Sequence, residues 1–171
     1  MSGRRKSAAV ILLLVSASWL FVSCQRKSES EIIADLVADL AARAEKRDAA
    51  GIVDHLAGDY LDFEQRDRAQ TAAMVEEYFS RYRGIVIHVL ASRIVIESAG
   101  SAAVETDVSL SSGAAQAFRK LIRFSGENYR FTCKLRKDGR WLITEAKWEA
   151  VAVDGLFPES IKILRELFPN L

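Results

Sequence analysis

The sequence predicts an α+β domain in which three helices precede a curved antiparallel sheet. Three observations carry this reading. Apolar residues recur at helical spacing between Ser28 and Gly84, the period changes to two after Gly84, and Asp138-Gly139 separates two alternating runs as a hairpin turn does. The chain has 171 residues, half of them apolar and 27% charged, which fits one domain plus a short appendage.

The appendage comes first. Arg4-Arg5-Lys6 is followed by an apolar run from Ala8 to Val22, interrupted by Ser16 and Ser18, and then by Phe21-Val22-Ser23-Cys24. A basic start, an apolar stretch and a small-residue site are the parts of a secretory signal. The run is about 15 residues, whereas a bilayer span needs roughly 20. Ser23-Cys24 resembles the bacterial lipobox, although that family favours Leu where Phe21 stands. The resemblance implies cleavage after residue 23 and transfer of diacylglyceryl and acyl chains, palmitate among them, to Cys24. It makes residues 1–23 a lipoprotein signal and residues 24–28 an anchored linker. Gln25 stands where aspartate would favour inner-membrane retention, which points to the periplasmic face of the outer membrane in a Gram-negative cell. The expected partner is therefore the membrane, reached through Cys24, with Arg26 and Lys27 near its headgroups or simply solvated.

The domain elements follow in order. Ser28 with Glu31 forms a capping-box pattern, and Ile32, Ile33, Leu36, Val37, Leu40, Ala41 and Ala44 continue a helix to Arg47. Asp48 caps a short helix, Ala49 to Ala57, ended by Gly58. Tyr60-Leu61-Asp62-Phe63 reads as extended. Asp67 with Gln70 opens a third helix with the stripe Met74, Val75, Tyr78, Phe79 and Tyr82, stopped by Gly84. Strands are expected over Ile85–Glu97, Ala102–Leu110, Leu121–Lys137 and Arg140–Val153, with a small-residue loop from Ser111 to Gln116. Pro158 suits the first turn of a last helix, making residues 154–171 a helical extension of a domain over 29–153.

This order resembles the nuclear transport factor 2-like superfamily, which includes ketosteroid isomerase, scytalone dehydratase and SnoaL-like cyclases. The long first helix, the Asp48–Gly58 helix, the Tyr60–Phe63 segment and the ending Lys137-Asp138-Gly139-Arg140-Trp141-Leu142-Ile143 carry the resemblance. It implies a cone-shaped fold with a space between the helices and a concave sheet face. Fold membership alone supplies no function.

Composition narrows the functional classes. Removing Arg4, Arg5 and Lys6 from a chain of net charge +1 leaves about −2, too little positive charge for a nucleic-acid footprint. The two cysteines are Cys24 and Cys133. With Cys24 acylated, a disulfide framework and a thiolate zinc site are both excluded. No Ser/His/Asp order, phosphate loop or metal-ligand cluster stands out, and no metal or cofactor is expected.

Candidate site residues remain. Asp62 reads either as an outward turn residue or as an inward carboxylate whose desolvation raises its pKa, as a general base needs. His88 reads as a core residue or as an acid–base group, and His55 as a surface residue. Tyr60, Tyr78, Tyr82, Tyr129 and Phe131 are either core or the lining of a ligand site. Cys133 fits a small buried hydrophobe. Glu105 and Asp107, opposite Arg130 and Lys134, fit cross-strand charge pairs on a solvated outer face. Two functional readings stand open. One is a noncatalytic envelope module binding a small apolar ligand or a protein partner. The other is an isomerase, dehydratase or cyclase using Asp62 or His88 as base. A homodimer through the sheet is a further expectation.

The anchoring expectation is tested by labelling cells with a fatty acid. The full chain takes up label and its mature amino terminus is a modified Cys24 by mass spectrometry; Cys24→Ala removes the label and leaves the precursor uncleaved.

Overall fold

The computed structural model describes residues 27–82, 84–111 and 127–152. The export segment with Cys24, the loop over 112–116, the part of the third expected strand before Glu127, and the helix expected after Pro158 lie outside the described residues.

Helix α1 spans Glu29–Glu45 and begins at the expected capping box. The Ser28 hydroxyl accepts from the Glu31 amide, and the Glu31 carboxylate accepts from the Ser28 amide at 2.7 Å. Its apolar stripe buries Ile33 and Leu36. The chain turns at Arg47, whose φ is +61°. Asp48 then caps helix α2, Ala49–Asp54, by accepting from the Gly51 amide at 2.8 Å. A side chain at Gly51 would collide with Arg43 and Asp48, which are themselves paired at 2.8 Å.

Helix α2 is shorter than its sequence pattern. Strand β1 takes over at Leu56 and runs to Asp62, because Leu56 and Ala57 are drawn into the core and their backbone pairs with the last strand. Helix α3, Arg68–Arg81, starts at the Asp67–Gln70 capping box. Its chain leaves through Tyr82 in an extended conformation and then Gly84 at φ +67°. Four strands follow: β2 Val86–Ser98, β3 Ser101–Ser111, β4 Glu127–Asp138 and β5 Arg140–Ala150. The last hairpin closes on Gly139, whose φ of +66° suits glycine.

The sheet order is β1-β5-β4-β3-β2. Neighbours from β2 to β5 are antiparallel, and β1 lies parallel to β5, so the curved sheet is mixed. A chain arriving from α2 can join the β5 edge only in that direction. Bulges fall between Val89 and Ala91 on β2 and at Thr144 on β5, beside Leu135 of β4, and bulges bend a sheet.

One sheet face packs under the helices. Ala102, Val104, Leu135, Trp141 and Ile143 form a core with Ile33, Leu36, Leu56 and Tyr60. A smaller cluster joins Ala49, Phe79 and Ile85 where α2 and α3 meet the start of β2. The opposite face carries the expected charge pairs. Arg130 donates to both oxygens of Asp107 at 2.7 and 2.9 Å, and Lys134 pairs with Glu145 at 2.9 Å. That face is not uniformly solvated, since Asp107, Ser109 and Asn128 are buried.

Trp141 ties the hairpin to the first helix. Its ring is 2% exposed, its Nε1 donates to Glu29 at 2.7 Å, and Lys137 bonds the same carboxylate at 2.6 Å. Trp141→Ala lowers unfolding free energy by about 3–5 kcal/mol in urea titration, the range for truncating a buried aromatic.

Candidate functional site

The space under the sheet is identified by Cys133. Its register partners, Val104 on β3 and Ala146 on β5, share its face, and all three pack with the main core. Cys133 lies on an inner strand yet keeps part of its surface accessible. Desolvation pushes the thiol up to about 12, so the surroundings are apolar.

Toward the other end of the same face, aromatic side chains replace aliphatic ones. Phe131 follows Cys133 by two residues on β4, and its register partner on β5 is Trp148. Their ring centroids are 6.2 Å apart. Phe63 meets Trp148 edge-on at 4.8 Å, and Tyr129 lies 6.5 Å from Phe131. Tyr78 and Tyr82, on and just after α3, stack at 4.4 Å and remain exposed. They are close enough to the Tyr129 hydroxyl to oppose its ionisation. The structure therefore groups Tyr78, Tyr82, Tyr129 and Phe131 together with Phe63 and Trp148. Tyr60 lies deeper, inside the core.

The carboxylate of Asp62 is fully buried. It accepts from the Glu64 amide at 2.8 Å, the Arg66 amide at 2.9 Å and Arg66 Nε at 2.6 Å. Burial opposes its charge, but these hydrogen bonds and the Arg66 guanidinium outweigh burial and hold the carboxyl below its ordinary value of 3.8. Of the two orientations the sequence left open the side chain takes the inward one, whereas the raised pKa wanted of a general base is absent. Asp62 instead positions Arg66. The guanidinium also pairs with Glu64 and sits over Trp148 at 5.3 Å and Phe63 at 6.0 Å.

His88 faces away from this group. Its neighbour Ile87 packs into the cluster with Phe79, and alternate strand residues point to opposite faces. His88 is half-buried beside its register partner Ser109. His55, expected at the surface, is mostly covered, with Nε2 2.8 Å from Asp39. Its carbonyl accepts from Ile143 and joins α2 to β5.

Two hydroxyls complete the description. Burial pushes Tyr60 up to about 12, so it is protonated at neutral pH; its hydroxyl interacts with Thr71 on α3 and is in electrostatic range of Asp62, Cys133 and Arg66. Tyr129 donates to Glu127 at 2.8 Å, which, with burial, raises it to about 12 as well.

Sequence reasoning passed over Thr71, Arg66 and Trp148. Trp148 carried a signal: it alternates with Ala146 and Ala150 on the last strand. Arg66 and Thr71 carried none, because their importance depends on the turn at Asp62. Among the described residues no group of three or more His, Cys, Asp or Glu is placed to hold a metal, and no helix is long and apolar enough to cross a membrane.

Helices packed on a curved mixed sheet of five strands match the nuclear transport factor 2-like fold of solved structures. A scytalone dehydratase-like protein from Novosphingobium aromaticivorans superposes with a TM-score of 0.60 at 15% identity, over 72% of this chain and 85% of its own. A hexachlorocyclohexane dehydrochlorinase from Novosphingobium barchaimii gives 0.56 at 15% identity, over 72% and 86%. A nuclear transport factor 2-like protein from Cytophaga hutchinsonii gives 0.57 at 13%, over 73% and 100%. No protein-family model and no curated protein matches the sequence.

Asp62→Ala leaves Arg66 without its main partner and lowers stability by about 3 kcal/mol at pH 7, the lower end for breaking a buried ion pair. The folded pKa lies below the unfolded one, so the ionised group stabilises the fold above about pH 4. That contribution fades as pH falls through the folded value. Urea titrations of both proteins from pH 7 to pH 2 should converge.

Proposed function

We propose that the domain is a binding module for a small apolar molecule with aromatic character, tethered to the cell envelope through acylated Cys24. The observation that carries this reading is the aromatic wall of Phe63, Trp148, Phe131 and Tyr129, on the sheet face that also carries the half-buried Cys133. Sites of this kind bind by burial and orient their ligand through a few polar groups.

The titratable candidates favour binding over catalysis. Asp62 spends its lone pairs on the Arg66 turn, and His88 lies on the other sheet face. The catalytic reading draws on the names of two structural neighbours, a scytalone dehydratase-like protein and a dehydrochlorinase. An isomerase, dehydratase or cyclase of this chain would have to free Asp62 from three hydrogen bonds before it could take a proton.

The tether sets the working distance. The linker from Gln25 to Ser28 is four residues, a reach of about 15 Å at roughly 3.5 Å each. Lys27 is paired with Asp35 at 2.6 Å, so its charge is partly spent on α1 before it meets a headgroup. A domain held this close draws its ligand from molecules that partition into the membrane or its interface. The periplasmic face of the outer membrane is the proposed location, with an envelope protein or a second copy on the charged sheet face as further partners.

Isothermal titration of the full chain in detergent, against a detergent blank, tests the binding reading. Naphthalene binds saturably in the micromolar range, and Trp148→Ala weakens it about tenfold by removing one face of the wall. Binding that is unsaturable or indifferent to Trp148→Ala would count against the site.

A further inference from the structure

Strand β2 ends the sheet, and half of its backbone amides and carbonyls meet no other strand among the described residues. Glu45 accepts from the Ile87 amide at 3.0 Å and so occupies the start of this edge. Exposed edges are usually blunted by lysine, by proline or by shortness. β2 is 13 residues long and holds neither lysine nor proline. Its bulges fall between Val89 and Ala91 and between Ile96 and Ser98, which leaves Ala91–Ile96 in regular register with β3. That regular stretch ends in three β-branched residues, Ile94, Val95 and Ile96. Val95 is 50% and Ile96 38% exposed.

The charges around this stretch say what pairs with it. Ile94 packs into the core, so Arg93 and Val95 lie on the outer face. Glu97 lies there too, where Lys134 feels its charge. The Arg93 side chain is 79% exposed, and Glu105 stands 3.7 Å away. Residues opposite one another in a sheet share a face, which limits the registers open to two antiparallel β2 strands. A two-fold axis at Val95 sets Arg93 against Glu97 of the second copy, and Glu97 against its Arg93. On the inner face it sets Ile94 against Ile96. An axis at Arg93 or at Glu97 opposes like charges, and one at Ile94 or Ile96 gives neither charge a mate. Helix α1 leaves room for this approach. Its stripe ending in Glu45, the residue that reaches β2, is otherwise the small Ser30, Ala34 and Ala41.

We propose that the β2 edge is an association surface on which a second copy of this chain lays its own β2, antiparallel and centred on Val95. The two five-stranded sheets then run on as one. The partner is a second copy because Arg93-Ile94-Val95-Ile96-Glu97, read in the opposite direction, places each charge on its opposite. This surface is separate from the charged sheet face and from the aromatic wall, and it depends on neither the binding reading nor the anchor. Backbone pairing over so short a stretch buries little surface, so the association is weak and reversible.

Sedimentation equilibrium of the full chain in detergent, with micelles in excess over protein, reads the association. The chain dimerises with a Kd on the order of 10 µM. Arg93→Glu and Glu97→Arg each weaken the dimer about tenfold by opposing like charges, and the two together restore it. The unfolding midpoint of each variant is measured alongside. Val95→Cys reads the register: diamide joins two copies through that position, above the background set by Cys24 and Cys133. Val89→Cys, which this register places opposite Ser101, gives no such product. A chain still monomeric at about 200 µM overturns the proposal. So does a dimer that ignores both charge reversals, or a double exchange that keeps its midpoint and fails to associate. A dimer that instead dissociates on Lys147→Glu belongs to the outer face and also overturns it. Where a reversal lowers the midpoint, the cross-link decides: no product at Val95→Cys, or as much at Val89→Cys, sinks the edge pairing.

Discussion

A carboxylate can remain ionised in a protein interior only if its lone pairs and its charge are both met. Asp62 meets that demand with two backbone amides and one guanidinium, all drawn from the next four residues. The construction of the cleft depends on it. The turn that satisfies the carboxylate ends β1 beside β5, where the Phe63 amide donates to Ala146 at 3.0 Å. It brings the Phe63 ring against Trp148 and swings Arg66 over both rings. It also sets where α3 begins, and with it the height at which Thr71 meets Tyr60. One buried charge thus coordinates a strand end, an aromatic pair and a helix start.

The sheet supplies the complementary part. Bulges on β2 and beside Leu135 let the strands bend, while α1 and α3 cover the concave side. At the hairpin end, Trp141, Leu135 and Ala102 close the space with buried side chains. At the other end, bulky rings stand where the helices diverge, and Phe131 and Trp148 remain only half-buried. A gradient from a dry aliphatic end to an aromatic, partly wetted end follows from strand position along a curved surface.

Much of this fold was legible in the sequence where the signal is local. Both capping boxes, the Asp48 cap and the Gly139 turn need only a few neighbouring residues, and each appears where its pattern lies. Tertiary demands were less legible. Leu56 and Ala57 follow a helical pattern but become strand, because burial against β5 outweighs one more helical turn. Asp107 alternates like a surface residue yet is buried, stabilised by a bidentate Arg130. For the candidate site, strand period and helix stripe place Tyr78, Tyr82, Tyr129 and Phe131 near one another, whereas Tyr60 lies deeper in the core. The direction of the Asp62 pKa could not be read, because it depends on two amides folding back within the turn.

The titratable groups near the aromatic cluster are governed by different local environments. Proton transfer needs a group whose two protonation states are both reachable near neutral pH. Asp62 is held below its ordinary range, whereas Tyr60, Tyr129 and Cys133 are each pushed up to about 12. Burial raises Tyr60 and Cys133, the Glu127 hydrogen bond together with burial raises Tyr129, and the hydrogen bonds and charge of the Arg66 turn hold Asp62 down against burial. Each of these groups thus has its charge state at neutral pH fixed by its immediate surroundings, Asp62 ionised by its turn and the two tyrosines and the cysteine protonated.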